Sequence, residues 1–147
     1  MPDQFLISTD RSLLDVDTIY AFLSACYWSP GIARSRVERA IENSMCFAIY
    51  DTAKQSGPRQ IAFARVITDK ATYGYIADVF VLPEYRGRGL SKRLMAAIVE
   101  HPDLMGLRRL CLMTRDAQGL YAQFGFAATP DPTRYMEVVD RESYKRD

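Results

Sequence analysis

The chain is short of the residues on which several common chemistries depend. It has one histidine, His101, and three cysteines, Cys26, Cys46 and Cys111, in 147 residues. A solitary histidine argues against a Ser-His-Asp hydrolase and against a histidine metal site. His101 sits before Pro102 at an expected helix end, where its charge would suit the helix dipole. The cysteines are too few and too scattered for a disulfide framework or a zinc site, so no metal is expected. Cys46 and Cys111 fall in apolar strand-like runs and read as buried, inert thiols, and Cys26 lies near a helix end with no His or Asp beside it. An excess of either charge is also missing: 19 basic and 18 acidic residues leave +1. That balance removes nucleic acid and anionic membrane as main partners. No apolar run is long enough to span a bilayer, and Met1-Pro2-Asp3-Gln4 has neither a basic nor an apolar leader region, so a cytoplasmic location is expected.

What is present is an ordinary globular composition, 48% apolar and 25% charged, at a length that suits one domain over 1–147. The pattern predicts a short edge strand over 5–9, then a helix capped by Asp15 and running to Ala25. Tyr27-Trp28-Ser29-Pro30-Gly31 breaks it as a loop, and a second helix follows over 33–43. Strands at 46–51, 60–68 and 72–82 make an antiparallel meander. A glycine-rich loop and a helix lead to a strand at 107–114, which should therefore join the sheet parallel to its predecessor. A short helix at 117–124 stops at Gly125, a last strand is expected at 134–140, and 141–147 is a charged tail. The order β-α-α-β-β-β-α-β-α-β describes a mixed α/β fold.

The most informative stretch is Asp78-Val-Phe-Val-Leu-Pro-Glu-Tyr-Arg-Gly-Arg-Gly-Leu-Ser91. Val79, Phe80 and Val81 favour a strand, and Pro83 ends it in a turn. Gly87 and Gly89 allow positive φ, so that successive N–H groups converge. A helix begins at once, and its partial positive charge, with Arg86 and Arg88, makes the loop a seat for phosphate. Two nucleotide motifs fail on spacing. A dinucleotide fingerprint needs glycine where Lys92 stands, and a P-loop needs Gly-Lys-Ser/Thr where the chain reads Gly89-Leu-Ser-Lys92. The run of parallel βαβ units that a dinucleotide fold requires is missing too.

Arg86-x-x-Gly89-x-Ser91 resembles the acyl-CoA pyrophosphate loop of the GNAT superfamily of N-acetyltransferases, with Ser91 at a position the family fills with Gly or Ala. Ala117-Gln-Gly-Leu-Tyr121-Ala-Gln-Phe-Gly-Phe126 is similar to a second segment of that family, Ala-x-x-Leu-Tyr-x-x-x-Gly-Phe. The element order also matches. The resemblance implies a sheet with splayed central strands and acetyl-CoA as co-substrate, its pantetheine arm in the gap. It implies that backbone groups of Val79 and Val81, flanking Phe80, bond the pantetheine amides. Amides of Arg86, Gly87, Arg88, Gly89, Leu90 and Ser91 would hold the pyrophosphate. Thr114 stands where relatives often carry an asparagine that contacts the cofactor, and Tyr121 would donate to the leaving thiolate. Ordinary values of about 10 for tyrosine and about 8.5 for a thiol put full proton transfer uphill by roughly 2 kcal/mol, so Tyr121 is expected to stabilise charge as a hydrogen-bond donor.

The general base is less defined. Relatives often place a carboxylate where this chain has Ala77. Asp78 is adjacent but on the opposite face of a regular strand, so it would orient its neighbours or approach the site through a bulge. Tyr75 shares the face of Ala77 and could relay a proton through water. Tyr27 and Trp28 either wall the site or staple the helices to the sheet. Asp69 or Asp116 could pair with a substrate ammonium and Arg65 or Arg115 with a carboxylate, an arrangement for an amino-acid-like amine. The resulting expectation is acetyl transfer from acetyl-CoA to the primary amine of a small molecule. Alternatives are a peptide amine, another acyl donor, or a CoA-binding sensor without turnover. Exposed strand edges near both termini leave room for a homodimer.

Overall fold

The computed structural model describes residues 3–147. Strands β1 (Phe5–Ser8), β2 (Met45–Asp51), β3 (Arg59–Thr68), β4 (Tyr73–Val81) and β5 (Arg109–Leu112) form one sheet in chain order. The first three pairings are antiparallel, and β5 joins β4 in parallel. Helices α1 (Val16–Ala25), α2 (Arg34–Glu42), α3 (Leu90–Val99) and α4 (Gln118–Ala122) complete the layers. The capping aspartate acts as expected: Asp15 Oδ1 accepts from Thr18 N at 3.2 Å, satisfying an otherwise unpaired donor of the first turn. Buried Gln60 accepts from Asp15 N at 2.7 Å and so ties α1 to the sheet.

Each face of the sheet has its own core. Leu90, Leu94, Met95 and Ile98 of α3 pack on Phe47, Ile49, Ile61 and Val66. On the other face Ile19, Leu23, Val37 and Ile41 of α1 and α2 pack on Cys46, Phe63 and Phe80. The helical spacing of these residues gives one apolar stripe per helix.

Two departures from a regular sheet shape the site. The β3–β4 register shifts between Phe63 and Arg65, so Ala64 opposes two residues of β4. Asp78 absorbs the extra residue with φ 57°, a left-handed conformation that costs an aspartate on the order of 1 kcal/mol. In addition, β4 pairs with β5 only from Tyr73 to Ile76. From Ala77 onward β4 has no neighbour on that side, which is the splay between the central strands.

One expected element is not formed. Residues 134–140 make no strand: Pro132–Arg134 closes a single 3-10 turn, and 135–140 pair with nothing. Strand propensity is realised only where a segment pairs with an edge, and this one pairs with neither of the sheet's outer strands. The tail beyond is docked. Ala33 N donates to Tyr144 O at 2.7 Å, Ser35 Oγ donates to Asp147 at 3.0 Å, and Arg36 Nε donates to Arg146 O.

Candidate active site

The glycine loop lies at the end of the splay. Pro83–Tyr85 turns the chain after β4, and the buried Tyr85 hydroxyl donates to Asp51 Oδ2 at 2.6 Å, anchoring the turn to β2. Gly87 and Gly89 take φ of 80° and 73°. Gly89 is the N-cap of α3 and offers no side-chain cap, so the first N–H groups of the helix are left for a ligand. A cavity of about 190 Å³ opens here, lined by Val81, Arg86, Gly87, Gly89, Ser91 and Lys92, with Leu120 of α4 on its far wall. Lys92 entered the sequence argument only as the missing glycine, yet it adds a cation to the wall of this cavity. The Arg86 guanidinium turns inward, where Nε donates to the Val81 carbonyl at 3.1 Å. That contact shapes the loop and occupies one of the backbone groups expected to meet pantetheine. Arg88 stacks over the Tyr85 ring at 5.2 Å.

Tyr121 stands one residue beyond Leu120. Its ring is buried, 9% exposed, in the core of the α3 face. Gly125, at φ 91°, turns the chain so that Phe126 packs edge-on against it at 6.1 Å. Burial, then the nearby Tyr27 and Asp116, raise its pKa. The phenol therefore stays protonated at neutral pH, as a donor must.

On the opposite face, the 27–28 loop bridges the mouth of the splay. Trp28 Nε1 donates to Asp78 Oδ1 at 3.1 Å, and the Arg115 guanidinium lies 3.8 Å over the Tyr27 ring, joining the loop to β4 and to the segment that follows β5. The bulge turns Asp78 toward Arg65, whose Nε donates to Oδ2 at 2.9 Å, with both side chains nearly buried. Asp78 thus sits on a bulge and holds Trp28 and Arg65 at the same time. Beside this pair lies a cavity of about 250 Å³ with a floor of Leu23, Val37, Ile41 and Phe63 and a rim of Arg36, Arg39 and Tyr144. Neither arginine of α2 nor the tail tyrosine was singled out from sequence, because only the fold brings α2 and the C-terminus to Asp78. Tyr75 lies half-buried on the same face as Ala77, its pKa raised by burial first and by Cys111, Tyr144, Tyr135 and Asp78 next.

Other candidates are occupied elsewhere. Asp69 accepts from Ala71 N, Thr72 N and Thr72 Oγ1 at 2.6–2.9 Å in the β3–β4 turn, and these bonds hold its carboxyl well below the usual range. It shapes the turn and does not join the cluster. Thr114 Oγ1 accepts from Ala117 N at 3.0 Å, fixing the start of α4. Asp116 contacts Arg115 at 3.8 Å, both exposed. His101 accepts from Asp103 N at 3.1 Å and packs on Phe47, a turn-holding role. Cys46 is buried, but Cys111 is only partly so, and its Sγ lies 3.0 Å from the Tyr73 hydroxyl. Among the described residues no cluster of His, Cys, Asp or Glu could hold a metal, and no helix is long and apolar enough to cross a membrane.

A mixed sheet whose central strands part beside a glycine loop that opens a helix is the fold of the acyl-CoA N-acyltransferases. The model of the GNAT acetyltransferase family matches residues 14–126, and the chain belongs to that family. A crystal structure of a GNAT-family protein from Xanthomonas campestris pv. campestris, provisionally called an acetyltransferase, is 48% identical, with a TM-score of 0.89 and 99% of each chain covered. A Gibberella zeae protein whose name assigns it provisionally to the acetyltransferases is 33% identical over 81% of this chain and 76% of its own length. Serotonin N-acetyltransferase 2 of Oryza sativa is 32% identical over 73% of this chain, which spans about half, 54%, of that protein.

Proposed function

We propose that this chain transfers an acetyl group from acetyl-CoA to the primary amine of a small molecule bearing an anionic group, by direct attack in a ternary complex. The observation that carries this reading is the cavity beside Asp78, which places a carboxylate and three guanidinium groups on one apolar floor. The Arg65–Asp78 pair leaves Asp78 lone pairs for an ammonium, while Arg39 makes no ion pair among the described residues. An acceptor amine held at Asp78 would thus have its carboxylate at Arg39 or Arg36. The pyrophosphate is bound by the free amides of the α3 N-terminus together with Lys92. The pantetheine arm lies along β4 beyond Ala77, near Val79. The ammonium first gives up one proton through water, with Tyr75 as a relay; the neutral amine nitrogen then attacks the thioester carbonyl, and as the C–S bond breaks the nitrogen loses its second proton to water. Tyr121 donates to the sulfur as its charge develops.

Following free thiol with acetyl-CoA and a panel of amines tests the proposal, with isothermal titration of CoA run separately. Amino-acid-like amines should release thiol at least about tenfold faster, per kcat/KM, than their decarboxylated counterparts. CoA binding without thiol release for any amine would contradict the transfer reading. Equal rates with and without the carboxylate would contradict the acceptor class alone.

A further inference from the structure

We propose that Ser44 is a positioning residue for the acceptor site: its hydroxyl fixes the plane of the Arg65 guanidinium and so keeps Asp78 in the arrangement that receives an ammonium. This role rests on the acceptor site proposed above, on which Ser44 acts through Arg65 and Asp78. The sheet brings the three side chains together. Arg65 of β3 stands opposite Cys46 of β2 and Ala77 of β4, and Ser44 precedes Cys46 by two residues, the spacing that keeps one face.

The grip of Arg65 on Asp78 calls for a second anchor. Among the described hydrogen bonds the guanidinium holds the carboxylate through Nε alone, at 2.9 Å to Oδ2. Arginine and carboxylate favour a two-pronged fork, which here would take both oxygens and displace Trp28 Nε1 from Oδ1, where it donates at 3.1 Å. Arg65 Nη1 donates instead to Ser44 Oγ at 3.2 Å. Anchored at Nε and again at Nη1, the guanidinium plane cannot turn a second N–H onto Asp78. A carboxylate accepts at about four positions, so with Trp28 and Arg65 in place about two stay open to a ligand.

Ser44 is itself fixed. It is buried, 6% exposed, and its Oγ donates to Ala40 O at 2.7 Å, which commits its one proton and leaves its lone pairs to Arg65. Its carbonyl accepts from Arg11 Nη2, while Arg11 Nη1 donates to Ile41 O, so one arginine clamps the turn that leaves α2, where helix carbonyls lack internal partners. No second anion competes for Arg65. Cys46 lies close to both Arg11 and Arg65, but burial pushes its thiol up to about 11, and it carries no charge at neutral pH. Stability alone does not call for this set: Asp78 holds φ 57°, a strained conformation, and an ion pair nearly out of water gains little over apolar groups of the same size.

Steady-state acetylation of the panel amine with the highest kcat/KM, with CoA titrated separately, tests this role. Ser44→Ala should raise the acceptor KM about fivefold, with kcat and CoA affinity each within about twofold of native. Ser44→Thr, which restores the hydroxyl, should bring KM back to within about twofold of native. Asp78→Asn, a change the left-handed backbone accepts, should raise KM more than about tenfold. If Asp78→Asn raises KM but Ser44→Ala does not, or if Ser44→Thr fares no better than Ser44→Ala, the positioning role is overturned and the acceptor site stands. If Asp78→Asn leaves KM unchanged, or if no amine of the panel releases thiol, both are overturned together.

Discussion

Tyr121 combines a buried ring with a hydroxyl that has no side-chain partner among the described residues, an arrangement stability alone does not require. A raised pKa makes the phenol a poorer acid than free tyrosine, so outright proton donation to a thiolate is uphill by more than the roughly 2 kcal/mol that ordinary values give. A hydrogen bond to developing charge needs no such transfer. Changing Tyr121→Phe should lower kcat about 10- to 100-fold while CoA affinity stays within about twofold. The sign of the shift also sets the pH behaviour. A group whose pKa is raised stays protonated to higher pH, so any alkaline limb due to Tyr121 lies above about pH 10. The Phe variant's profile should be scaled down without displacement below that pH, and a limb that disappears near neutrality would refute the donor role.

Two positions decide how the elements carrying the site are held. A side chain at Gly74 would place Cβ 2.9 Å from Leu110 Cδ1 and 3.0 Å from Leu107 Cδ1, where β4 and β5 must approach closely before they diverge. The leucine tips can turn aside, so changing Gly74→Ala should cost no more than about 1 kcal/mol, read from urea unfolding. Asp51, at the end of β2, accepts from the Tyr85 hydroxyl at 2.6 Å and from Ala53 N at 2.9 Å, and these bonds lower its pKa. A carboxyl with a depressed folded pKa contributes stability that is present above its unfolded value of about 3.9 and is lost as pH falls through the folded value. Native protein should therefore exceed Asp51→Asn in thermal stability at pH 7. That gap should narrow progressively below about pH 4, and a gap independent of pH would show that the carboxylate charge is not what anchors the turn.

At the scale of the whole chain, what was legible in the sequence was local. Asp15 before a helical stripe, the two positive-φ glycines before α3 and Gly125 after Tyr121 announce themselves within a few residues, because caps and turns are short-range chemistry. The aim of Asp78 depends on a register between β3 and β4, and the roles of Arg36 and Arg39 depend on where α2 lands. The strand expected at 134–140 fails for a related reason: propensity names a conformation, and the fold decides whether the segment is brought onto an edge. The tail shows how far such placement reaches. Tyr144 lies more than a hundred residues from α2 in sequence but forms part of the rim of the cavity beside Asp78, the proposed acceptor site, held by its own carbonyl on Ala33 N. Because that bond is made by the backbone, Tyr144→Ala removes the ring and leaves the tail docked. Losing one aromatic wall worth about 1 kcal/mol should raise KM for the acceptor about fivefold. Both kcat and CoA affinity should remain near native, since the ring touches neither the glycine loop nor Tyr121. A change in CoA affinity instead would mean that the tail acts on the whole cleft, and an unchanged acceptor KM would move the acceptor out of this cavity.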